Sequence, residues 1–351
     1  MASKKKSLGL KIIIAIVIII ILGGGIFGFK YYRMIYQPNV TLKGKQVDYL
    51  YIHTGAKFDD VMNMLFEKGI IIDTSSFKWM AERKKYKDKV KPGRYLIKED
   101  MSNNELINLL RSGKQEPVQL VFNNIRTKDQ LAGRLAKQIE ADSSSLIDIF
   151  NDGAFLKTYS LNPDNVVALF IPNTYEIKWN ISAKQLMERM KKEFDKFWNK
   201  DRRQKASAIN LNPVQVSILA SIVQQETNKT DEMSRIAGVY INRLEKDMKL
   251  EADPTVKFAI GDFAIKRILK RHLEYDSPYN TYMYKGLPPG PICIPTSITI
   301  DKVLNYEQHD FLFFCAKDDF SGYHVFAKTG AQHQENARKY QRALNEHNIK
   351  K

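Results

Sequence analysis

The run Asn212-Pro213-Val214-Gln215-Val216-Ser217-Ile218-Leu219-Ala220-Ser221-Ile222-Val223-Gln224-Gln225-Glu226-Thr227 organises the C-terminal half of the chain. Asparagine before proline reads as a helix N-cap followed by proline at the first helical position, where its missing N–H costs nothing. The helix therefore opens at Pro213. Leu219, Ile222, Val223 and Glu226 fall at i, i+3, i+4 and i+7, which puts a carboxylate at the last position of an apolar stripe. Burial disfavours the charged form, and a carboxyl that keeps its proton near neutrality suits general acid catalysis. Glu226 is the candidate catalytic acid. The competing reading is a glutamate at a helix end that turns to solvent.

Working outward, Ile236 to Leu244 reads as a second amphipathic helix, spanning about Glu232 to Lys246, with Met233, Ile236, Ala237, Tyr240, Ile241 and Leu244 in core register. Asn242 and Arg243 lie off that face and could meet a ligand, the alternative for the arginine being a surface ion pair. Asp253-Pro254 reads as the N-cap and first residue of a short helix ending at Gly261. Tyr279-Asn280-Thr281-Tyr282 and the proline-glycine run to Pro291 form a rigid loop, whose aromatic faces and amide donors suit N-acetylated sugars. Phe311–Ala316 and Tyr323–Ala327 flank Lys317–Gly322 as a β-hairpin, with His324 in its second strand. His324 and His333 have no companion ligands at metal spacing, so no metal and no cofactor is expected. Cys293 and Cys315 are the only cysteines; without a C-x-x-C pair, zinc-ribbon and thioredoxin chemistry are excluded, and a disulfide between them stays open.

The 351 residues carry a net charge of +16, and setting aside Lys4, Lys5, Lys6 and Lys11 leaves +12. Such a surplus favours a polyanionic partner: nucleic acid, anionic lipid or a carboxylate-bearing cell wall. Ile12 to Phe29 is uncharged and, extended to Leu10, approaches the roughly 20 residues needed to span a bilayer. No small-x-small cleavage site follows it, and Lys30-Tyr31-Tyr32-Arg33 comes at once, so a retained single-pass anchor in the cell (inner) membrane is expected. The lysine cluster puts residues 1–9 in the cytoplasm, 10–29 across the membrane, 30–45 in a linker and the remainder outside. That topology, and the lack of a basic-aromatic motif, argue against nucleic acid.

At an offset of 69, Asp60, Lys68, Ile70, Asp73, Ser75 and Ser76 match Asp129, Lys137, Ile139, Asp142, Ser144 and Ser145; at an offset of 80, Tyr95, Ser102 and Leu106 match Tyr175, Ser182 and Leu186. Residues 46–116 and 117–200 thus read as two related copies of strand, helix, helix, strand and helix. Residues 201–351 complete an α+β chain.

The Glu226 run, Ile236–Leu244, Glu251-Ala252-Asp253-Pro254-Thr255-Val256, Tyr279–Tyr282 and Gly286-Leu287-Pro288-Pro289-Gly290-Pro291-Ile292, in this order, resemble the YceG-like endolytic murein transglycosylases. The resemblance implies that Glu226 is the catalytic glutamate, that residues 46–116 are a small LysM-like βααβ domain, that the second repeat is part of the catalytic region, and that 201–351 is the α+β catalytic domain. Ile171-Pro172-Asn173-Thr174-Tyr175 resembles a family segment with an acid where Asn173 stands, which places Tyr175 near the cleft. The candidate substrate-binding residues are Tyr175, Asn242, Arg243, Asp253, Tyr279, Asn280, Tyr282 and His324. By the same resemblance the substrate is the peptidoglycan glycan strand, cut internally between N-acetylmuramic acid and N-acetylglucosamine to leave 1,6-anhydro ends and stop strand growth beside peptidoglycan synthases. Two rivals stand: a hydrolytic muramidase using Glu251 or Asp253 as second carboxylate, and a non-catalytic wall-binding scaffold.

Overall fold

The computed structural model describes residues 2–265 and 267–346, and of residues 2–8 the backbone alone. The outer ends of the expected cytoplasmic tail and catalytic domain, residue 1 and residues 347–351, lie outside the described residues. Helix α1 (Ala2–Tyr36) contains the apolar run; Gly9–Tyr36 is long and apolar enough to cross a membrane. It continues through the first part of the expected linker, because nothing breaks it before Pro38.

The mixed α+β architecture then runs β1 (Val47–Ile52), α2 (Phe58–Glu67), α3 (Thr74–Arg83), β2 (Gly93–Lys98) and α4 (Asn103–Ser112). Next come β3 (Val118–Val121), α5 (Lys128–Ala136), α6 (Ser143–Asn151), α7 (Gly153–Lys157), a 3-10 turn (Val166–Leu169), β4 (Thr174–Ile177) and α8 (Ala183–Phe197). The remainder comprises α9 (Lys200–Ala208), α10 (Pro213–Glu226), α11 (Met233–Glu245), α12 (Asp253–Ile260), α13 (Lys270–Leu273), α14 (Ser297–Leu304), β5 (Phe313–Ala316), β6 (His324–Ala327) and α15 (Gly330–Glu346). Among the described residues the strands pair as β1 with β2, β3 with β4, and β5 with β6.

Contacts divide the chain into two units: one up to Val118 together with Glu176–Asn180, the other Gln119–Tyr175 together with Ile181 onward. Within the second unit α10 packs against the 3-10 turn and α9 as well as α11, α12 and α14.

In the first unit β1 and β2 are antiparallel with Leu50 opposite Tyr95 and Ile52 opposite Gly93. Alternation buries Leu50, Ile52, Tyr95 and Ile97 against Val61 and Leu65 of α2, Phe77 of α3 and Leu106 and Leu110 of α4. Residues 38–42 do not hang free as the expected linker. Pro38 bridges Ser102, Val40 bridges Ile71, and buried Asn39 bonds Asp73 and Asn103.

In the second unit the hairpin has Phe313 opposite Ala327 and Ala316 opposite His324. Gly238 lets α11 approach the segment that leads into it: a Cβ there would lie 2.4 Å from the Glu307 carbonyl oxygen.

Candidate active site

Helix α10 opens as its sequence predicts. Asn212 accepts from the Gln215 amide at 3.0 Å, Gln215 returns a bond to the Asn212 amide at 2.9 Å, and Pro213 fills the first turn. Its interior differs from the expected single stripe. Val216 through Val223 are all buried, so the helix is the centre of its unit rather than one wall of it. The hydroxyls that this burial traps are satisfied locally, Ser217 by the Pro213 carbonyl and Ser221 by that of Ile218. Glu226 is the last helical residue, half-buried one turn beyond the fully buried stretch.

Glu226 lines a cavity of about 470 Å³ with Tyr240, Asp253, Tyr282, His324 and the β5 segment Phe313–Ala316. The buried Tyr240 hydroxyl of α11 donates to Glu226 Oε1 at 2.5 Å. Desolvation pushes the Glu226 carboxyl up to about 7; the nearby Asp253 charge adds to the rise, while the Tyr240 hydrogen bond and Lys257 oppose it. Desolvation also pushes the Tyr240 phenol well upward, with Glu226 reinforcing it, so this phenol stays a donor.

Asp253 is not the cap of α12. Ala252 occupies that position, and the Asp253 carboxylate accepts from the Tyr282 hydroxyl at 2.7 Å. Both residues are thereby held in the cavity wall. His324 is also there: buried Glu232 accepts its backbone N–H at 2.8 Å and pairs with Nδ1 at 2.7 Å, and the ring stands edge-on to Phe314.

Arg243 touches the cavity but is already spent on structure. Its buried guanidinium donates to the carbonyls of Leu312, Lys249 and Leu250 and to Glu251, tying the turn after α11 to the hairpin. Four expected residues are not in the cavity wall. Asn242 donates to the carbonyls of His309 and Phe311, fastening the chain that Gly238 lets approach. Asn280 is fully buried and donates to the Leu273 and Tyr275 carbonyls, shaping the loop that presents Tyr282. Tyr279 packs its ring on Phe258 and donates to the Asp164 carbonyl, beside which Gly290 has no room for a Cβ. Tyr175 is core, stacked on Phe122 with its hydroxyl on the Ile171 carbonyl.

Sequence reasoning assigned Tyr240 to the core and missed its role. The available signal was a phenol in an otherwise apolar face, which when buried needs a polar partner. The two cysteines are unbonded thiols: Cys293 is buried against Gln225, and Cys315 lies in the cavity wall. A larger hollow of about 870 Å³ lies at the opposite end of α10, beside Asn212 and Pro288. Its lining includes Glu245 and the cluster in which Lys191 and Arg203 both pair with Asp195. Among the described residues no group of three or more metal-ligating side chains occurs.

An α+β chain with one long apolar helix and a carboxyl of raised proton affinity lining a cavity defines the class. Residues 50–339 match the YceG-like family, and the chain belongs to that family. It is 27% identical over 348 residues to the endolytic murein transglycosylase of Bacillus subtilis (strain 168), covering 93% of each chain. It is 26% identical over 344 residues to the endolytic murein transglycosylase of Streptococcus pneumoniae (strain D39), covering 89% of this chain and 62% of that longer protein. A crystal structure of a yceG-like protein from Listeria monocytogenes superposes with a TM-score of 0.53 at 28% identity, covering 83% of this chain and 99% of that one.

Proposed function

We propose that the protein is a single-pass lytic transglycosylase of the cell membrane, with its catalytic unit outside the cytoplasm, acting on peptidoglycan glycan strands. The observation that carries this reading is the carboxyl of Glu226, its pKa pushed up to about 7 by desolvation, hydrogen-bonded by Tyr240 in a cavity beside Asp253, Tyr282 and His324. The names of the relatives agree with it.

In this mechanism Glu226 gives its proton to the glycosidic oxygen between N-acetylmuramic acid and N-acetylglucosamine as the C1–O bond breaks. Positive charge develops at C1, and the carboxylate left behind stabilises it across a poorly solvated space. The same carboxylate then takes the proton of the muramoyl O6 hydroxyl, O6 bonds to C1, and a 1,6-anhydro end forms. The proton returns to Glu226 and no water is consumed. Tyr240 holds the carboxyl in one orientation through both transfers. Asp253, fixed by Tyr282, keeps the proton affinity high enough for the first. Mass spectrometry of products from uncrosslinked strands tests this directly: anhydro ends are expected, and reducing ends alone would refute the lytic route.

Asp253 and Glu251, the latter paired with Arg243, give a hydrolytic reading its foothold, because each is a second carboxylate in the same cavity. Heavy-oxygen water separates the two, labelling a hydrolase product and leaving an anhydro product unlabelled. Residues 46–116 are proposed as the LysM-like domain, serving glycan binding or setting the height of the catalytic unit. Internal cutting, the ending of strand growth and association with peptidoglycan synthases complete the proposal.

A further inference from the structure

The first unit carries a basic surface that the wall chemistry leaves unused. Residues 78–91 contain seven lysines or arginines against two acids, Glu82 and Asp88, a net charge of +5 in fourteen residues. Two of the seven are held within the unit, Lys84 by Asn104 and Asn108 and Lys91 by the Ser112 carbonyl. Lys78, Arg83, Lys85, Lys87 and Lys89 are exposed.

Three contacts put the start of this surface at the end of the apolar run of α1. The Trp79 ring lies 5.3 Å from that of Tyr31, and the Arg83 guanidinium lies 5.2 Å from the Trp79 ring. Asn103, next to the Asn104 that holds Lys84, donates to the Met34 carbonyl at 2.9 Å. Ile72, 64% exposed, shares a hollow of about 450 Å³ with Ile26, Phe29 and Lys30. Phe29 closes the apolar run, and Tyr31 stands only about 3 Å further along the helix axis. A tryptophan, an exposed isoleucine and a set of exposed cations therefore occur together where a spanning helix leaves the hydrocarbon. Interfacial aromatics and juxtamembrane basic clusters are the chemistry that anionic headgroups attract.

We propose that this face of the first unit, Ile72, Trp79 and the cations from Lys78 to Lys89, rests on the bilayer that α1 crosses and binds its anionic phospholipid headgroups. The small unit is thus seated on the membrane surface instead of standing off on a stalk. The proposal rests on α1 being a membrane span.

The test uses the full chain in phosphatidylcholine vesicles with and without phosphatidylglycerol, and measures hydrogen exchange of the backbone amides of residues 78–91. Slower exchange is expected in the anionic vesicles, reversed by high salt and by Lys85→Glu, Lys87→Glu and Lys89→Glu, each weakening headgroup association by at least about fivefold. These side chains are exposed, so circular dichroism of the variants should match the parent. Equal exchange in both lipids, with the chain floating with the vesicles, overturns the proposal and spares the anchor. Failure to float overturns both. Protection by a soluble wall polyanion but not by anionic vesicles reassigns the surface and also overturns it.

Discussion

The Tyr240 hydroxyl donates to Glu226 Oε1 from a helix lying fourteen residues along the chain, and this bond opposes the desolvation that raises the acid's proton affinity. A donor to a carboxylate favours its ionised form. Removing the phenol oxygen with Tyr240→Phe should raise the Glu226 pKa further. The alkaline limb of the pH–rate profile is then expected to move upward while the maximal rate falls, because the carboxyl loses its fixed orientation. An unshifted limb would separate Tyr240 from the titration.

Glu226→Gln removes the transferable proton and keeps the shape. The expected loss in rate is at least about 100-fold, the low end for positioned proton transfer, with an unchanged far-ultraviolet spectrum. Retained activity at the parental rate would end the acid assignment.

The same substitution has a stability signature whose sign follows from the raised pKa. Between the ordinary value of 4.5 and about 7, folded Glu226 keeps a proton that the unfolded chain has released. Folding is therefore progressively disfavoured as pH climbs through that window, and the full penalty is present above it. Glu226→Gln should stabilise the second unit by about 1 to 3 kcal/mol at pH 8 and very little at pH 4, read by thermal melts at the two pH values.

Asp253→Asn removes the charge that helps hold the Glu226 proton. The alkaline limb is expected to shift downward, opposite to Tyr240→Phe, with anhydro products still formed by the residual activity. Loss of heavy-oxygen incorporation in this variant, had the parent shown any, would identify Asp253 as a hydrolytic base.

Asn242→Ala should act on stability alone. Two backbone carbonyls of the segment after Glu307 lose their donor, at a cost of about 1 to 3 kcal/mol, and KM for glycan strands is expected to stay at the parental value. A raised KM with unchanged melting would return Asn242 to the substrate site.

The parts of this site legible in the sequence are those with local causes. Asn212, Pro213 and Gln215 specify where α10 begins, and the apolar composition before Glu226 carries the acid inward. What escaped were relations across the chain. Helical register separated Asn242 and Arg243 from the core face of α11, but could not say that residues 307–312 would cover the other face and absorb both side chains. Local capping preference favoured Asp253 as an N-cap until the Tyr282 hydroxyl, 29 residues away, supplied a different partner. Tyr175 failed for a similar reason: the Ile171 carbonyl and the Phe122 ring claim it for the interior.

The position of Glu226 at the very end of α10 has a consequence of its own. Aligned peptide dipoles leave a partial negative pole at a helix C-terminus, and Thr227 departs into extended backbone, so no further turn lengthens the axis. A negative carboxylate is least welcome at that pole. The chain trace itself thus biases the resting enzyme toward its proton-loaded form, and extending α10 by one turn would weaken the acid's grip on hydrogen.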